Sequence, residues 1–407
     1  MKKNIEVGVF IPTVRSGWVH SSNVPYSPGS FKHALLVTQL AEFLGFDFVL
    51  SPQNWRGAQG PSRFWGDTVE SLTTTAALLQ ATDRIKVWGT THANVYPPAA
   101  IAKMVATLSE IGNGRVGMNV VTGGHRSSFE PLGLWDDSLS HDERYDYAEE
   151  WLQVIKQLWT DERVTHEGKF FQLNDAILSP RPRSMPTLVN AGASGRGLRF
   201  AVSSCDVAFL LGGGEAGYIE SAKQAKQIAR ELNKPDFKVY GLVTLIPGDS
   251  DRDAQALMDH LEEGVDLVGL EDLARGYEKN TKGVKQLSSS SLAPLGGPKY
   301  KSVMPGTFIG SYESLAAQLS QQVIKADLDG LLVIVPDYIN NLKEVAMRTF
   351  PSWKSIISIA MSAPAYRDPG LLSGRGGRAS TGSRWHDRAG FKVHRYPSAQ
   401  MKAARIG

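Results

Sequence analysis

The chain has 407 residues, 42% of them hydrophobic, which is enough for a large core, and α/β barrels of this length fold as one domain. Formal net charge is +3, yet from Arg367 onward nine Lys or Arg face two Asp, so the first 366 residues carry a net of −4. That acidic balance gives no electrostatic case for nucleic acid, and the lone Cys205 excludes an internal disulfide or multi-cysteine metal site and fits a reducing cytoplasm.

The opening MKKNIEVGVFIPTV has two lysines but only a short β-rich apolar run, so it reads as a first strand rather than a signal peptide. Strand-like runs then recur: IEVGVFIP (5–12), FDFVLS (46–51), IKVWGTT (85–91), RVGMNVV (115–121), TLVNAG (187–192), DVAFLL (206–211), FKVYGLVTLI (237–246) and DGLLVIVP (329–336). Most are continuous apolar runs, as expected of parallel strands buried on both faces. Between them lie amphipathic segments such as FKHALLVTQLAEFLG and PPAAIAKMVATLSEIG, the second with prolines in helix-N-terminal position. Alternation of eight strands with helices predicts a (β/α)8 TIM barrel with insertions over residues 1–353. No run approaches the roughly 18 apolar residues a spanning helix needs, so no membrane role is expected.

Two connections are long. Thr122 to Met185 holds a helical pattern around 142–159 and a short strand pair, VTHEGKFFQL. The segment 277–305 is rich in Lys, Ser, Gly and Pro, and is read as a lid over the barrel mouth, with a plain surface loop as the alternative. After Trp353 the periodicity ends, and 354–407 is expected to be a basic, disordered tail outside the fold. RNA binding by that tail is the alternative.

The nine histidines show no H-x-H pair and no H-E-x-x-H spacing, so no metal is expected. A G-x-S-x-G elbow is also missing. Cys205 follows FAVSS on the buried side of a helical pattern, the setting of a small apolar residue rather than a nucleophile.

Barrel sites lie at the C-terminal ends of the strands. Those ends carry Gln53 and Asn54, Thr90 to Asn94, Asn119 to Thr122, and NAGASGRG. Uncharged hydrogen-bonding groups of this kind suit a neutral ring with carbonyl and imine positions better than hydrolysis. In NAGASGRG, Ser194 before a helical run offers free N–H groups to an anion, with Arg196 as a possible added charge.

The stretches GRVGMNVVTGG, HDERYDYAEEW, GKFFQL, PTLVNAGASGRG and GTFIGSYESLA together resemble the bacterial-luciferase-like flavin monooxygenases over residues 5–350. GVFIPTVRSGWV, WRGAQGPSRFWGDTVESLT and YPPAAIAKMVATLSEIGNGRVGMNVVTG are most similar to the pyrimidine monooxygenases, and SHDERYDYAEEW equally to sulfone and aminopolycarboxylate monooxygenases. The resemblance implies reduced FMN, delivered by a separate NAD(P)H-dependent flavin reductase. Dioxygen would act through a flavin peroxide on a small organic substrate, a nitrogen heterocycle first and a sulfone or sulfonate second. It implies that Gln53, Asn54, Asn119 and Ser128 face the flavin ring, with Thr90 and Asn119 catalytic where dioxygen meets it. His141, Arg144 and Tyr145 would lie toward the ribityl phosphate, with Ser194 at the phosphate itself. Gln53-Asn54 and GHRSSF depart from the pyrimidine pattern, which bears on uracil as substrate but little on flavin use. A homo-oligomer is expected. Deazaflavin-dependent hydride transfer and a non-catalytic flavoprotein are the alternatives on the same barrel.

FLLGGGEAGYIE fits G-x-G-x-x-G at Gly212, Gly214 and Gly217. It follows the sixth predicted strand, however, and Asp236 precedes the next strand instead of ending it, so a βα loop at the barrel mouth is expected rather than a dinucleotide site.

Overall fold

The computed structural model describes residues 5–123, 126–192, 194–211, 214–280, 301–304 and 306–353. Eight parallel strands close on themselves: β1 (Glu6–Phe10), β2 (Phe48–Ser51), β3 (Lys86–His92), β4 (Val116–Val121), β7 (Thr187–Asn190), β8 (Val207–Leu211), β9 (Lys238–Gly248) and β11 (Gly330–Ile334). Closure is by β8 against β9 (Val207↔Lys238) and β11 against β1 (Glu6↔Gly330). Each of the eight predicted runs is one of these strands. An additional strand, β10 (Thr307–Ser311), pairs with the outer half of β9. The motif GTFIGSYESLA contains it, but with only Gly310 fully buried it lacks the continuous apolar run that marks the eight barrel strands.

Side-chain alternation sorts the barrel into an inside and an outside. Met118 and Val120 face the helices, in the large cluster with Val49 and Val87. Phe10, Phe48, Leu50, Trp88, Val189, Phe209, Tyr240 and Leu332 fill the inside. At mid-height Phe48 stacks on Trp88 with centroids 4.0 Å apart, and Tyr240 lies 5.8 Å from Phe209. These rings leave no room at two inward positions: a Cβ on Gly8 would sit 2.2 Å from the Phe48 ring, and one on Gly117 would sit 2.4 Å from Trp88. At the N-terminal end, the Glu6 carboxylate accepts from Lys86 (2.8 Å), Lys238 (2.7 Å) and the Tyr240 hydroxyl.

The helices outside follow their sequence signals. α1 (Phe31–Phe43) is capped by Ser30, and α3 (Pro98–Ile111) starts on prolines. α2 (Ser71–Gln80) is capped by Glu70, whose carboxylate accepts from Leu72 and Thr73 N–H. The first long connection folds as α4 (Arg126–Phe129), α5 (His141–Thr160) and the hairpin β5 (Val164–Glu167) with β6 (Gln172–Ala176). α5 opens with a Ser140–Glu143 capping box and buries Tyr145, Ala148, Trp151, Leu152, Ile155, Leu158 and Trp159, a stripe of helical period. α6 (Gly195–Ser204) and α7 (Gly214–Glu231) follow β7 and β8. α8 (Asp251–Glu263), α9 (Leu267–Asn280), α10 (Tyr312–Lys325) and α11 (Asn340–Glu344) complete the set. The expected lid overlaps α9 at its start, and its residues 281–300 lie outside the described residues, as does the tail from 354.

Candidate active site

The C-terminal ends of β1–β4 and β7 meet at one mouth. Thr90 and Asn119 are register partners on adjacent strands, both pointing inward one level above the aromatic layer. Both are buried, and they hydrogen-bond: Asn119 Nδ2 donates to Thr90 Oγ1 at 3.1 Å. Thr90 Oγ1 in turn donates to the Ser51 carbonyl at 2.7 Å. Ser71, the first residue of α2, is fully buried and locks this corner: its hydroxyl donates to Ser51 O (3.0 Å) and accepts from Thr90 N (2.8 Å). Asn119 Oδ1 is buried with no hydrogen-bond partner. Buried polar atoms are nearly always paired, so an orphaned acceptor at a barrel mouth marks a place for a ligand donor.

Gln53 and Asn54 sit beside this corner, with their amides partly engaged. Gln53 Oε1 accepts from Ser71 N (2.6 Å) while its Nε2 donates to Asn54 O, and Asn54 Nδ2 donates to Arg56 O. Ser128 is buried in α4, next to Phe129, which meets the His92 ring edge-on at 4.9 Å. His92 follows Trp88 and Thr90 in the inward parity of β3, a position the period-2 pattern contains but no motif marks.

Over the mouth Trp18 stacks on Phe10 at 3.9 Å, and Trp65 meets Trp18 edge-on at 4.8 Å. Met304 packs against the same group. Buried Asp266 ties this roof to α9, accepting from Ser62 N (3.0 Å), Ser62 Oγ and Gly269 N (2.9 Å). His20 stacks on Phe64 at 3.6 Å, and burial pushes its pKa down to about 3, so it is neutral at physiological pH. Trp18, Ser62, Phe64 and Trp65 fall within stretches that carry the family resemblance, but nothing in those stretches marks them as a roof, because they come from loops joined only by packing.

The anion side is built where α5 and α6 meet. Ser194 caps α6, its Oγ accepting from Gly197 N at 2.9 Å, with no acceptor for its own hydroxyl proton among the described residues. The first-turn amides of Gly195 and Arg196 have no intrahelical acceptor by construction. A Cβ on Gly195 would meet nothing within 4 Å, whereas one on Gly197 would lie 2.6 Å from the Tyr145 hydroxyl. The helix end is therefore open at Gly195 and closed against Tyr145. Tyr145 is buried, with His141 edge-on at 5.3 Å.

Arg144 and Arg196 differ in the way that matters for an anion. Arg196 is neutralised by Glu149 and Asp146, each at 2.8 Å, so the added charge expected of it is already spent. Arg144 is half-buried, donates to the Leu139 carbonyl at 2.9 Å and lies over Trp135 at 4.8 Å. No carboxylate among the described residues pairs with it, and burial lowers its pKa because water is withdrawn from the charge. Strand order brings the two halves together: Asn119 is the register partner of Val189, and the Asn190 amide donates to Val120 O at 2.7 Å, four residues before Ser194. An orphaned acceptor at one end and the Ser194-capped helix N-terminus at the other, with Arg144 next to Gly123 just past β4, fit a ring carrying a phosphate arm.

No group of His, Cys, Asp and Glu among the described residues could hold a metal ion. None of their helices is long and apolar enough to cross a membrane. Cys205 caps α6 and is buried, and burial pushes its thiol up to about 12, which leaves it inert. The glycine motif is not the loop expected: β8 ends at Leu211 and α7 already begins at Gly214, so Gly214 and Gly217 lie in the first turn of the helix, and the unit is the sixth of a closed barrel rather than the first turn of an open sheet.

Residues 5–321 match the family model described as luciferase-like monooxygenase. A curated relative, pyrimidine monooxygenase RutA of Acinetobacter baylyi, is 31% identical over 355 residues, covering 85% of this chain and 94% of its own. A second RutA, from Serratia proteamaculans, is 31% identical over 372 residues, covering 89% of this chain and 100% of its own. Among solved structures, long-chain alkane monooxygenase (LadA) superposes with a TM-score of 0.75 at 18% identity, covering 87% of this chain and 92% of its own. DmoA from Hyphomicrobium sulfonivorans gives 0.74 at 19%, covering 90% and 91%. The family model over residues 5–321 and the relatives at 31% identity show that the chain, a barrel by its own strands, belongs to the luciferase-like monooxygenases.

Proposed function

We propose that this protein is a two-component monooxygenase that takes reduced FMN from a separate NAD(P)H-dependent flavin reductase and oxidatively cleaves a C–N bond in a small nitrogen heterocycle. The observation that carries the reading is the orphaned Asn119 Oδ1 at a mouth where β4 pairs with β7, the strand that leads into the Ser194-capped N-terminus of α6. The pyrimidine monooxygenase name of the relatives at about one-third identity supports the substrate class. When bound, reduced FMN supplies the electrons that activate dioxygen toward an electrophilic carbon of the substrate.

The chain's own residues divide the remaining work. Ser194, the first-turn amides of α6 and Arg144 hold the phosphate, with Tyr145 and His141 against the ribityl arm. Gln53, Asn54 and Ser128 line the ring. Thr90 and Asn119 border the space where dioxygen meets it, and Trp18, Trp65 and Met304 keep water out. The reading includes a cytoplasmic homo-oligomer with no nucleic-acid partner.

Oxygen uptake by the purified chain with a flavin reductase, FMN and NADH tests it against a panel of pyrimidines, other nitrogen heterocycles and sulfones. Uptake matched by ring-opened product from a heterocycle is expected. Product from a sulfone alone moves the substrate class to C–S cleavage. Hydride transfer with a deazaflavin in the absence of oxygen overturns the reading.

A further inference from the structure

We propose that Asn119 works as a hydrogen-bond acceptor for a ring N–H of the bound ligand, and that Thr90, with Ser71 behind it, is the positioning device that fixes this polarity. The inference rests on the flavin reading above and adds to it a direction for one amide.

The argument is a proton count. The Ser51 carbonyl can only accept, and it receives the Thr90 hydroxyl at 2.7 Å. Thr90 has one hydroxyl proton, so its lone pairs are what remain for Asn119, 3.1 Å away. Only the NH2 end of the amide can satisfy them. Reversing the amide would set Oδ1 against an oxygen with no proton to offer. Oδ1 is therefore turned away from β3, and it is left buried with no partner.

Ser71 makes the arrangement rigid. Its hydroxyl bridges the Ser51 carbonyl (3.0 Å) and the Thr90 amide (2.8 Å), so the acceptor that claims Thr90's proton cannot swing away. Gln53 holds Ser71 from the other side through its backbone N–H at 2.6 Å. Five groups from β2, α2, β3 and β4 thus agree on which end of one amide faces the mouth.

The ligand chemistry that satisfies such an acceptor is a planar ring bearing N–H. Two rings can supply it: reduced flavin, whose N5 carries a proton that oxidised flavin lacks, and a nitrogen heterocycle with a free ring N–H. Against N5 of oxidised flavin Oδ1 would meet a lone pair instead, whereas the flavin N3–H is present in both redox states and would give no such preference.

Two arms test the proposal. Without ligand, the Asn119 side-chain NH2 resonances in protein labelled with 15N-asparagine should show one hydrogen-bonded proton. That signature should shift in Thr90→Val and Ser71→Ala and persist in Thr90→Ser. An unresponsive resonance overturns the orientation, whether or not flavin binds, which separates this failure from failure of the flavin reading. With ligand, affinities for reduced and oxidised FMN are measured anaerobically for wild type and Thr90→Val. A preference for reduced FMN that falls roughly tenfold, the size of one net hydrogen bond, assigns the N–H to flavin. An unchanged flavin ratio, with a similar loss of preference for uracil over its N-methylated forms on the enzyme–FMN complex, assigns it to substrate. Thr90→Val that moves neither ratio overturns the acceptor role.

Discussion

Replacing Arg144 by Gln isolates the phosphate anchor from the rest of the site. Arg144 is half-buried and desolvated, and its only hydrogen-bond partner among the described residues is the Leu139 carbonyl. Its charge is available to an anion in a way that the charge of Arg196, held between Asp146 and Glu149, is not. A charge-assisted hydrogen bond nets about 1.5–3 kcal/mol, or roughly 10- to 150-fold in affinity. Because the guanidinium keeps partial access to solvent, the lower part of that range applies, about 10- to 30-fold for FMN. Riboflavin, which lacks the phosphate, should bind wild type and Arg144→Gln within about twofold, and the FMN difference should shrink in high salt. Fluorescence titration with both flavins at two ionic strengths provides the measurement. Equal losses for FMN and riboflavin would refute the anchor role and show that Arg144 acts by packing on Trp135. Arg196→Gln serves as the internal control, with little change expected for either flavin.

Glu6→Gln should lower stability at pH 7 by ~2 kcal/mol, less than the full shift implies because both lysine partners are nearly half exposed. Hydrogen bonds from Lys238, Lys86 and Tyr240 outweigh burial and bring the Glu6 pKa down from 4.5 to about 2, so its contribution is full above pH 4.5 and fades as pH falls toward 2. In urea unfolding, a gap between wild type and variant that does not narrow across that window would exclude the Glu6 carboxylate as its source. Removing residues 366–407 should leave folding and flavin affinity unchanged by thermal melt and titration, since the described barrel closes on its own strands before Trp353. Failure of the truncated chain to fold would place the tail inside the domain. The protein alone should not oxidise NADH or NADPH, because its glycine motif lies in the sixth barrel unit. Robust turnover without a reductase would return that motif to a dinucleotide role.

Continuous apolar runs alternating with period-3.6 segments were enough for the barrel, because strands buried on both faces and helices buried on one write those patterns directly into the chain. Strand ends then located Thr90, Asn119, Gln53, Asn54 and Ser194 at one mouth, since in this fold the C-terminal ends converge whatever their sequence. β10 stayed hidden because five residues with only Gly310 fully buried write no pattern. Ser71, Trp18 and Trp65 lie in stretches that carry the resemblance, yet their roles were silent, since a serine at a helix start and tryptophans in loops are ordinary features.

Polarity was beyond the sequence for a different reason. The amide of Asn119 is directed by Thr90, 29 residues earlier, and Thr90 by Ser51, 39 residues earlier still. Arg144 and Arg196 are both arginines near a helix N-terminus in the sequence, yet Arg196 is neutralised by Asp146, 50 residues away, while Arg144 has no ion-pair partner among the described residues and feels Asp137 only through space. Composition and spacing specify which groups reach the mouth. Which lone pair or charge remains unsatisfied there is a difference between partners, and those partners become neighbours only when the barrel closes.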